Sequence, residues 1–464
     1  MVLSPFFSFV NLHFFTSVLQ YRYISKNAIL TGKLYGSEST DPSGSFTADN
    51  RKQFMATAYL NSIDYISACL NDSCRLSPGE ANHFVLRVDL SRPPDLPWIT
   101  VHIRQRIGLM PILTGNMRRN LFHLAPYWQW DNSQKMRVEI LHENECSVSS
   151  YINTPLKEDT CCGVLICGTI LLFKFSHLLF DHAGAERFLC WIFSDAPAPK
   201  NPGWLESSHW NDWKRQTACC KTIRKSFLHD HDSPIAVFPE KTEAETCVIS
   251  RTWDAAQITA EAEEFAGPFM LIPYLMAKCA IALEPFLPKN GNIVIPMTVD
   301  QRGEEDQSAE SMLFNHWSLM PLQIPGEARG DLKKCTSALK RAYFENTANR
   351  LPTQFRHAAY LLRYIPFFML RRMAEQYSTK WGGTFQFSYM ESHMPDDLYT
   401  GHSKVLDIRH YSVIPPHPGI GFFFSRTGNN LHLTVSCREG ILPDVGLLES
   451  NLETLFHHGV KDDL

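Results

Sequence analysis

The chain has 464 residues, 44% hydrophobic and 20% charged, and its 44 Lys and Arg against 48 Asp and Glu give a formal charge of -4. That length exceeds one ordinary core and requires two or three domains, or two closely packed halves. The charges are spread along the chain, so there is no basic footprint for nucleic acid, and small-molecule partners are the default.

The N-terminal stretch MVLSPFFSFVNLHFFTSVLQYRY is apolar, but no Lys or Arg precedes the apolar part, Pro5, Asn11 and His13 interrupt it, and no small-residue cleavage site follows. It reads as a first strand and helix rather than a targeting segment or an integral membrane span. After the turn-rich SESTDPSGSF, residues 84–90 read as a strand. DLPWITVHIRQRIGLM reads as a helix with Ile99, Ile103 and Ile107 on one face. YWQW and MRVEILH alternate as strands do. Val164 to Phe175, VLICGTILLFKF, is nearly continuously apolar and reads as one strand covered on both faces. In GAERFLCWIF, Ala185, Phe188, Leu189 and Ile192 fall at helical spacing on one face.

From about Asp195 to Ser250 the composition turns to Pro, Trp, His, Lys and Asp, which reads as a long connection with at most a short helix. A helical region in two parts meeting near Gly267-Pro268 follows, then the strand NIVIPMTVD. Next come a helix around DLKKCTSALKRAYFEN, an aromatic helix around FRHAAYLLRYIPFFMLRRMAEQY, and strands at TFQFSYM, GIGFFFSR and LHLTVSCRE. A hairpin turn is expected at Gly428-Asn429-Asn430, and LPDVGLLESNLETLFHHGV is the final helix. The predicted organisation is a first half over 1–195, a crossover over 196–250 and a second half over 251–464, each half mixing strands and helices.

The 13 cysteines include the adjacent pairs Cys161-Cys162 and Cys219-Cys220 and no Cys-x-x-Cys, which favours free, buried thiols in a reducing, cytoplasmic setting and offers no zinc site. His229-Asp230-His231-Asp232 lies in the polar crossover with nothing to fix ligand geometry, so no metal is expected there or at His457-His458. The aromatic stretch with Arg363, Arg371 and Arg372 reads as a core helix with snorkelling arginines. Gly-x-Gly-x-x-Gly, Walker-type and Gly-x-Ser-x-Gly motifs are all absent.

The stretch that draws attention is KFSHLLFDHAGAERF, in which His177 and Asp181 stand on a turn between a buried strand and a packed helix. Loops held by rigid elements on both sides commonly present catalytic groups. HLLFD with its strand, VDQR after a second-half strand and FSYM on a later one resemble the superfamily of chloramphenicol acetyltransferase, plant and fungal acyl-CoA acyltransferases and nonribosomal peptide condensation domains. The resemblance implies an α/β (α+β) architecture of two halves, each a mixed sheet with flanking helices, and an active-site tunnel between them. It implies His177 as general base, a role that suits an imidazole with pKa near 6.5. It makes Asp181 a structural partner of Arg302 rather than the third member of a relay. By the same analogy Ser388 or Thr384 would serve the oxyanion, Trp381 with Gly382-Gly383 would shape the approach, and Asn315 and His316 in FNHW would line the pocket.

The sequence also departs from the pattern. The plant-type Asp-Phe-Gly-Trp-Gly motif is replaced by the looser WGGTFQF, and Ser176 and His182 stand where condensation domains carry a histidine and a glycine. His182 either lines the pocket or caps the following helix. The expected activity is transfer of an acyl group from a thioester to a hydroxyl or amine of a natural-product acceptor. The donor would be acyl-CoA, or a phosphopantetheine thioester on a separate carrier protein, with no tightly bound cofactor and a monomeric enzyme. Three alternatives remain at this level: a condensation-type enzyme restricted to carrier-bound donors, a cyclase or isomerase of natural-product biosynthesis that keeps the fold without acyl transfer, and a degenerate binding protein with ligand affinity and no turnover.

Overall fold

The computed structural model describes residues 55–74, 82–118, 126–131, 137–157, 160–199, 203, 212–227, 245–303, 311–372, 383–415, 418–456 and 460–461. The N-terminal stretch, Trp381-Gly382, the 229–232 cluster and His457-His458 lie outside the described residues.

The first half runs β1 (Met55–Tyr59), α1 (Ser62–Cys74), β2 (His83–Leu90), α2 (Leu96–Gly108), β3 (Asn116–Arg118), β4 (Tyr127–Asp131), β5 (Arg137–His142), α3 (Val148–Asn153), β6 (Thr160–Cys167), β7 (Ile170–Ser176) and α4 (His182–Phe193). The crossover carries α5 (Trp213–Phe227). The second half runs β8 (Thr246–Asp254), α6 (Ala255–Ala266), α7 (Leu271–Leu283), β9 (Ile293–Asp300), β10 (Trp317–Ile324), α8 (Leu332–Ala348), α9 (Leu351–Tyr360), β11 (Gln386–Glu391), β12 (Tyr399–Thr400), β13 (Ser403–Ser412), β14 (Ile420–Thr427), β15 (Asn430–Arg438), α10 (Val445–Phe456) and β16 (Val460–Lys461).

Two large mixed sheets dominate. One has the order β12-β13-β2-β7-β6-β5 and the other β10-β9-β11-β14-β15-β8-β16; β1, β4 and β3 form a small third sheet. Local signals start the helices. Asp95, Asp254 and Asp331 each cap one, their carboxylates accepting from the backbone N–H of Trp98 (3.1 Å), Gln257 (2.9 Å) and Lys334 (3.0 Å). In α2, Ile99, Ile103 and Ile107 are all fully buried, as the periodicity requires. In α4 the same holds for Ala185, Phe188, Leu189 and Ile192, and Phe188 packs on Phe175 and Phe180. Each such large apolar side chain contributes roughly 1.5–3 kcal/mol by leaving water.

Three expectations need correction. The apolar run Val164 to Phe175 is a hairpin, because Gly168 at φ +53° turns the chain and Cys167 pairs with Ile170 across it. A continuous apolar run hides a turn whose only mark is one glycine. The aromatic helix is likewise broken: α9 gives way to a tight turn at Leu361–Tyr364, and Pro366 separates it from a further helical segment at 367–372. Nor do the sheets divide at residue 251. β8 begins at Thr246, while β12 and β13, far into the second half, join the first sheet, β13 pairing antiparallel with β2 from Ser412 opposite Phe84 to Val405 opposite Leu90. β10 and β13 left little trace in the sequence pattern. β10 carries Pro321 and is tolerated because it is a sheet edge.

Gly168→Ala isolates the backbone effect, since a Cβ there meets nothing within 4 Å. The expected loss is about 1–2 kcal/mol from the positive φ alone, read as a lower midpoint with unchanged slope in urea unfolding.

Candidate active site

The site is a turn from one half clasped by a loop from the other. β7 ends at Ser176, and Asp181 is the N-cap of α4, accepting from Gly184 N through Oδ1 at 2.8 Å. Arg302, just past β9, donates from Nη2 to Asp181 Oδ1 at 2.7 Å and from Nη1 to Oδ2 at 3.1 Å. His316 N donates to the same Oδ2 at 2.7 Å. The four acceptor positions of the carboxylate are therefore taken, and none is left for the His177 ring. Burial pushes the Asp181 carboxyl up, but the Arg302 charge, its paired N–H groups and His316 outweigh it and hold the group well below the usual carboxylate range. Arg302 is secured in turn by Asp300 Oδ1 (2.9 Å) and by Ser311 O, which accepts from Nε at 2.9 Å.

The loop Ser311 to Trp317 is shaped around this pair. Phe314 N donates to Leu179 O at 2.6 Å while Phe314 holds φ +69°, a conformation a bulky residue adopts only when its surroundings impose it. Its ring stacks on Trp128 at 5.7 Å. Gly184 is the point of closest approach, where a Cβ would lie 2.5 Å from Met312 O and 2.7 Å from Arg302 Nη2.

Asn315 links three parts of the chain. Its Nδ2 donates to His177 O at 2.9 Å and to Asp64 Oδ1 at 3.0 Å, and its backbone N donates to the same Asp64 oxygen at 2.8 Å. His177 N also donates to Asn82 O at 2.9 Å, so the His177 backbone is fixed at both ends. Burial pushes the Asp64 carboxyl well up, against the Asn315 hydrogen bonds.

The His177 ring is half-buried, packed against Phe84 at 4.7 Å and 5.3 Å from the His182 ring. Burial lowers its pKa, partly countered by the Asp181 charge. His182 Nε2 lies 2.8 Å from Ser412 Oγ, and its ring is 5.4 Å from that of His410. His410 Nε2 in turn lies 2.9 Å from Oε1 of Glu186, which is fully buried, and Glu186 Oε2 accepts from His393 N at 2.9 Å.

The structure thus brings His177, Asp181, His182, Arg302, Asn315 and His316 together. Asn315 and His316 are fully buried and act on the loop: Asn315 holds the His177 carbonyl, and the His316 ring bonds Ser311 Oγ at 2.9 Å. Ser388 lies across the sheet from Phe423, whose ring is 6.4 Å from His182, and its hydroxyl makes no hydrogen bond among the described residues. Thr384 is elsewhere. Its hydroxyl accepts from Val294 N at 3.1 Å, beside the end of β9 opposite Asp300, on the order of 20 Å along the strand. That hydroxyl secures a strand end. Asp64, Glu186, His410 and Ser412 were not singled out from sequence. The spacing of His182 to Glu186 was the one available signal, since i and i+4 share a helix face.

No family model matches the chain, and no curated protein matches it. Solved structures do. The starter condensation domain of rhizomide synthetase, in complex with C8-CoA and Leu-SNAC, superimposes with TM-score 0.61 at 12% identity, over 89% of this chain and 95% of that one. Trichothecene 15-O-acetyltransferase from Fusarium sporotrichioides gives 0.60 at 11% identity, over 91% and 98%. The condensation domain of the monacolin K polyketide synthase gives 0.59 at 11% identity, over 88% and 99%. The chain has the condensation/acyltransferase fold. In this representative of the fold, the turn between β7 and α4 is held by a second-half arginine and a second-half loop at once. No single helix among the described residues is long and apolar enough to cross a membrane.

Asp181→Ala leaves Arg302, 2% exposed in its side chain, without its principal counter-charge, and the expected loss is about 3–5 kcal/mol in chemical denaturation. The native Asp181 pKa is depressed, so its stabilisation is complete above the usual carboxylate range and is lost as pH falls below about 4. Asp181→Asn should therefore flatten the fall in stability below pH ~4 relative to the wild type, measured as unfolding midpoints across a pH series. Gly184→Ala should cost about 1–3 kcal/mol by forcing the loop away.

Proposed function

We propose that the chain is an acyltransferase in which His177 moves an acyl group from a thioester to a hydroxyl or amine of a small natural-product acceptor. The observation that carries this reading is the His177 imidazole itself. It is half-buried, its backbone is fixed by Asn82 and Asn315, and its environment favours the unprotonated ring. Such a ring removes the acceptor's proton as the nucleophile adds to the carbonyl carbon, then returns that proton to the thiolate as the C–S bond breaks. Asp181 and Arg302 position the turn and take no proton.

A free coenzyme A thioester is the preferred donor, with no tightly bound cofactor. The similar rhizomide condensation domain was solved with C8-CoA, which supports a donor of that class. A donor carried on a separate protein predicts instead that coenzyme A thioesters are inert and carrier-bound ones react. Two halves, divided near the 196–250 crossover and sharing β13, would enclose the reacting groups, and Ser388 would face them from the second sheet.

Purified protein incubated with acyl-CoA donors and candidate acceptors should give products heavier by the acyl group, detected by mass spectrometry. His177→Ala should lower kcat by about 10²–10⁴, the usual worth of a general base. Undiminished transfer by that variant, or products of unchanged mass, would end this reading. Because burial lowers the His177 pKa, the free base persists below the ordinary value of 6.5, and the acid limb of kcat/KM should have its midpoint below pH 6.5.

A further inference from the structure

The first turns of α4 and the end of β13 meet as a matched ladder. His182 and Glu186, at i and i+4, share one helix face, and His410 and Ser412, at i and i+2, share one strand face. One helical turn advances about 5.4 Å and two strand residues about 6.8 Å, so the two pairs meet in register. His182 takes Ser412 at 2.8 Å and Glu186 takes His410 at 2.9 Å, across 230 and 224 residues of sequence. The far end is closed by Glu186 and His393 N, while the near end lies beside His177.

At that near end His182 has one ring nitrogen committed and one spare. Nε2 belongs to Ser412 Oγ, whose only hydrogen-bond partner among the described residues is this ring. Nδ1 makes no hydrogen bond among the described residues, and the side chain is half-buried, like that of His177. Phe84, with its ring centroid at 4.2 Å, fixes the imidazole plane from one side. A neutral imidazole carries its proton on one nitrogen only. The Ser412 hydroxyl has no other acceptor among the described residues, so we assign its O–H to Nε2 and the ring proton to Nδ1. Burial keeps His182 neutral, reinforced by the neighbouring His410 and His177 rings, and the positive end of the α4 dipole acts in the same sense.

We propose that His182 is a second catalytic residue, whose Nδ1–H donates to the oxyanion formed when the acceptor adds to the thioester carbonyl. The inference rests on the acyl-transfer reading. The acceptor oxygen or nitrogen forms its bond to the carbonyl carbon and gives its proton to His177. The carbonyl π pair moves onto oxygen, where the His182 N–H stabilises it. The pair returns as the C–S bond breaks, and the departing sulfur takes the proton from His177. A base and an oxyanion donor serving one tetrahedral centre must stand a few ångströms apart, and the two rings are separated by 5.3 Å.

The test uses the full chain with octanoyl-CoA, following thiol release with and without an acceptor. His182→Ala should lower kcat by about 10²–10³ while KM changes little, the pattern of a donor used only in the transition state. His182→Asn places an amide N–H where Nδ1 stood and should recover most of that loss; His182→Gln places it near Nε2 and should not. Thermal midpoints equal to the wild type exclude misfolding as the cause. A second readout needs no turnover: ¹⁵N NMR of the histidine rings should show the Nδ1–H tautomer at His182, lost in Ser412→Ala. The proposal is overturned if His182→Ala keeps wild-type kcat, if Gln rescues as well as Asn, or if the ring carries its proton on Nε2. Loss of activity in His177→Ala with none in His182→Ala removes this inference and leaves acyl transfer standing. A wild-type protein inert toward every thioester removes both.

Discussion

Asp181 and Arg302 are 121 residues apart, and the carboxylate and guanidinium meet with side chains 9% and 2% exposed. Two ions so far from water are tolerated only when geometry and further hydrogen bonds offset their desolvation. Here the further bonds come from Gly184 N and His316 N to the carboxylate, and from Asp300 and Ser311 to the guanidinium. The pair thereby sets the start of α4, the end of β9 and the path of the 311–317 loop at once. Phe314 at positive φ and the missing side chain at Gly184 are the local concessions to that closeness.

The imidazole of His177 inherits its placement from this clasp without touching it. Its carbonyl is held by Asn315, itself on the loop that the ion pair secures, and Asn315 reaches back to Asp64 in α1. β13 makes an independent link by entering the first sheet, where Ser412 and His410 engage α4. Two elements of the second half therefore converge on one turn of the first.

Much of this was legible in the sequence. Periodicity located α2 and α4 and their buried faces, and the resemblance carried by HLLFD, VDQR and FSYM led to the fold that the superpositions share. What escaped has physical causes. Gly168 turns a chain whose flanks are uniformly apolar, so no change of period announces the hairpin. Thr384 and Ser388 lie four residues apart on one short segment, yet one hydroxyl bonds a strand end and the other has no partner among the described residues, a difference set by pairing partners nearly a hundred residues away.

The sequence by itself determined which residues could do chemistry and where the local elements start, because capping, periodicity and residue type act over a few positions. Only the tertiary structure decided that Asp181 spends its acceptors on Arg302, Gly184 and His316, that Asn315 holds the His177 carbonyl, and that His182 has one nitrogen tied to Ser412. Those outcomes depend on which of several competent partners arrives within 3 Å, and that is fixed by the packing of two sheets rather than by spacing along the chain.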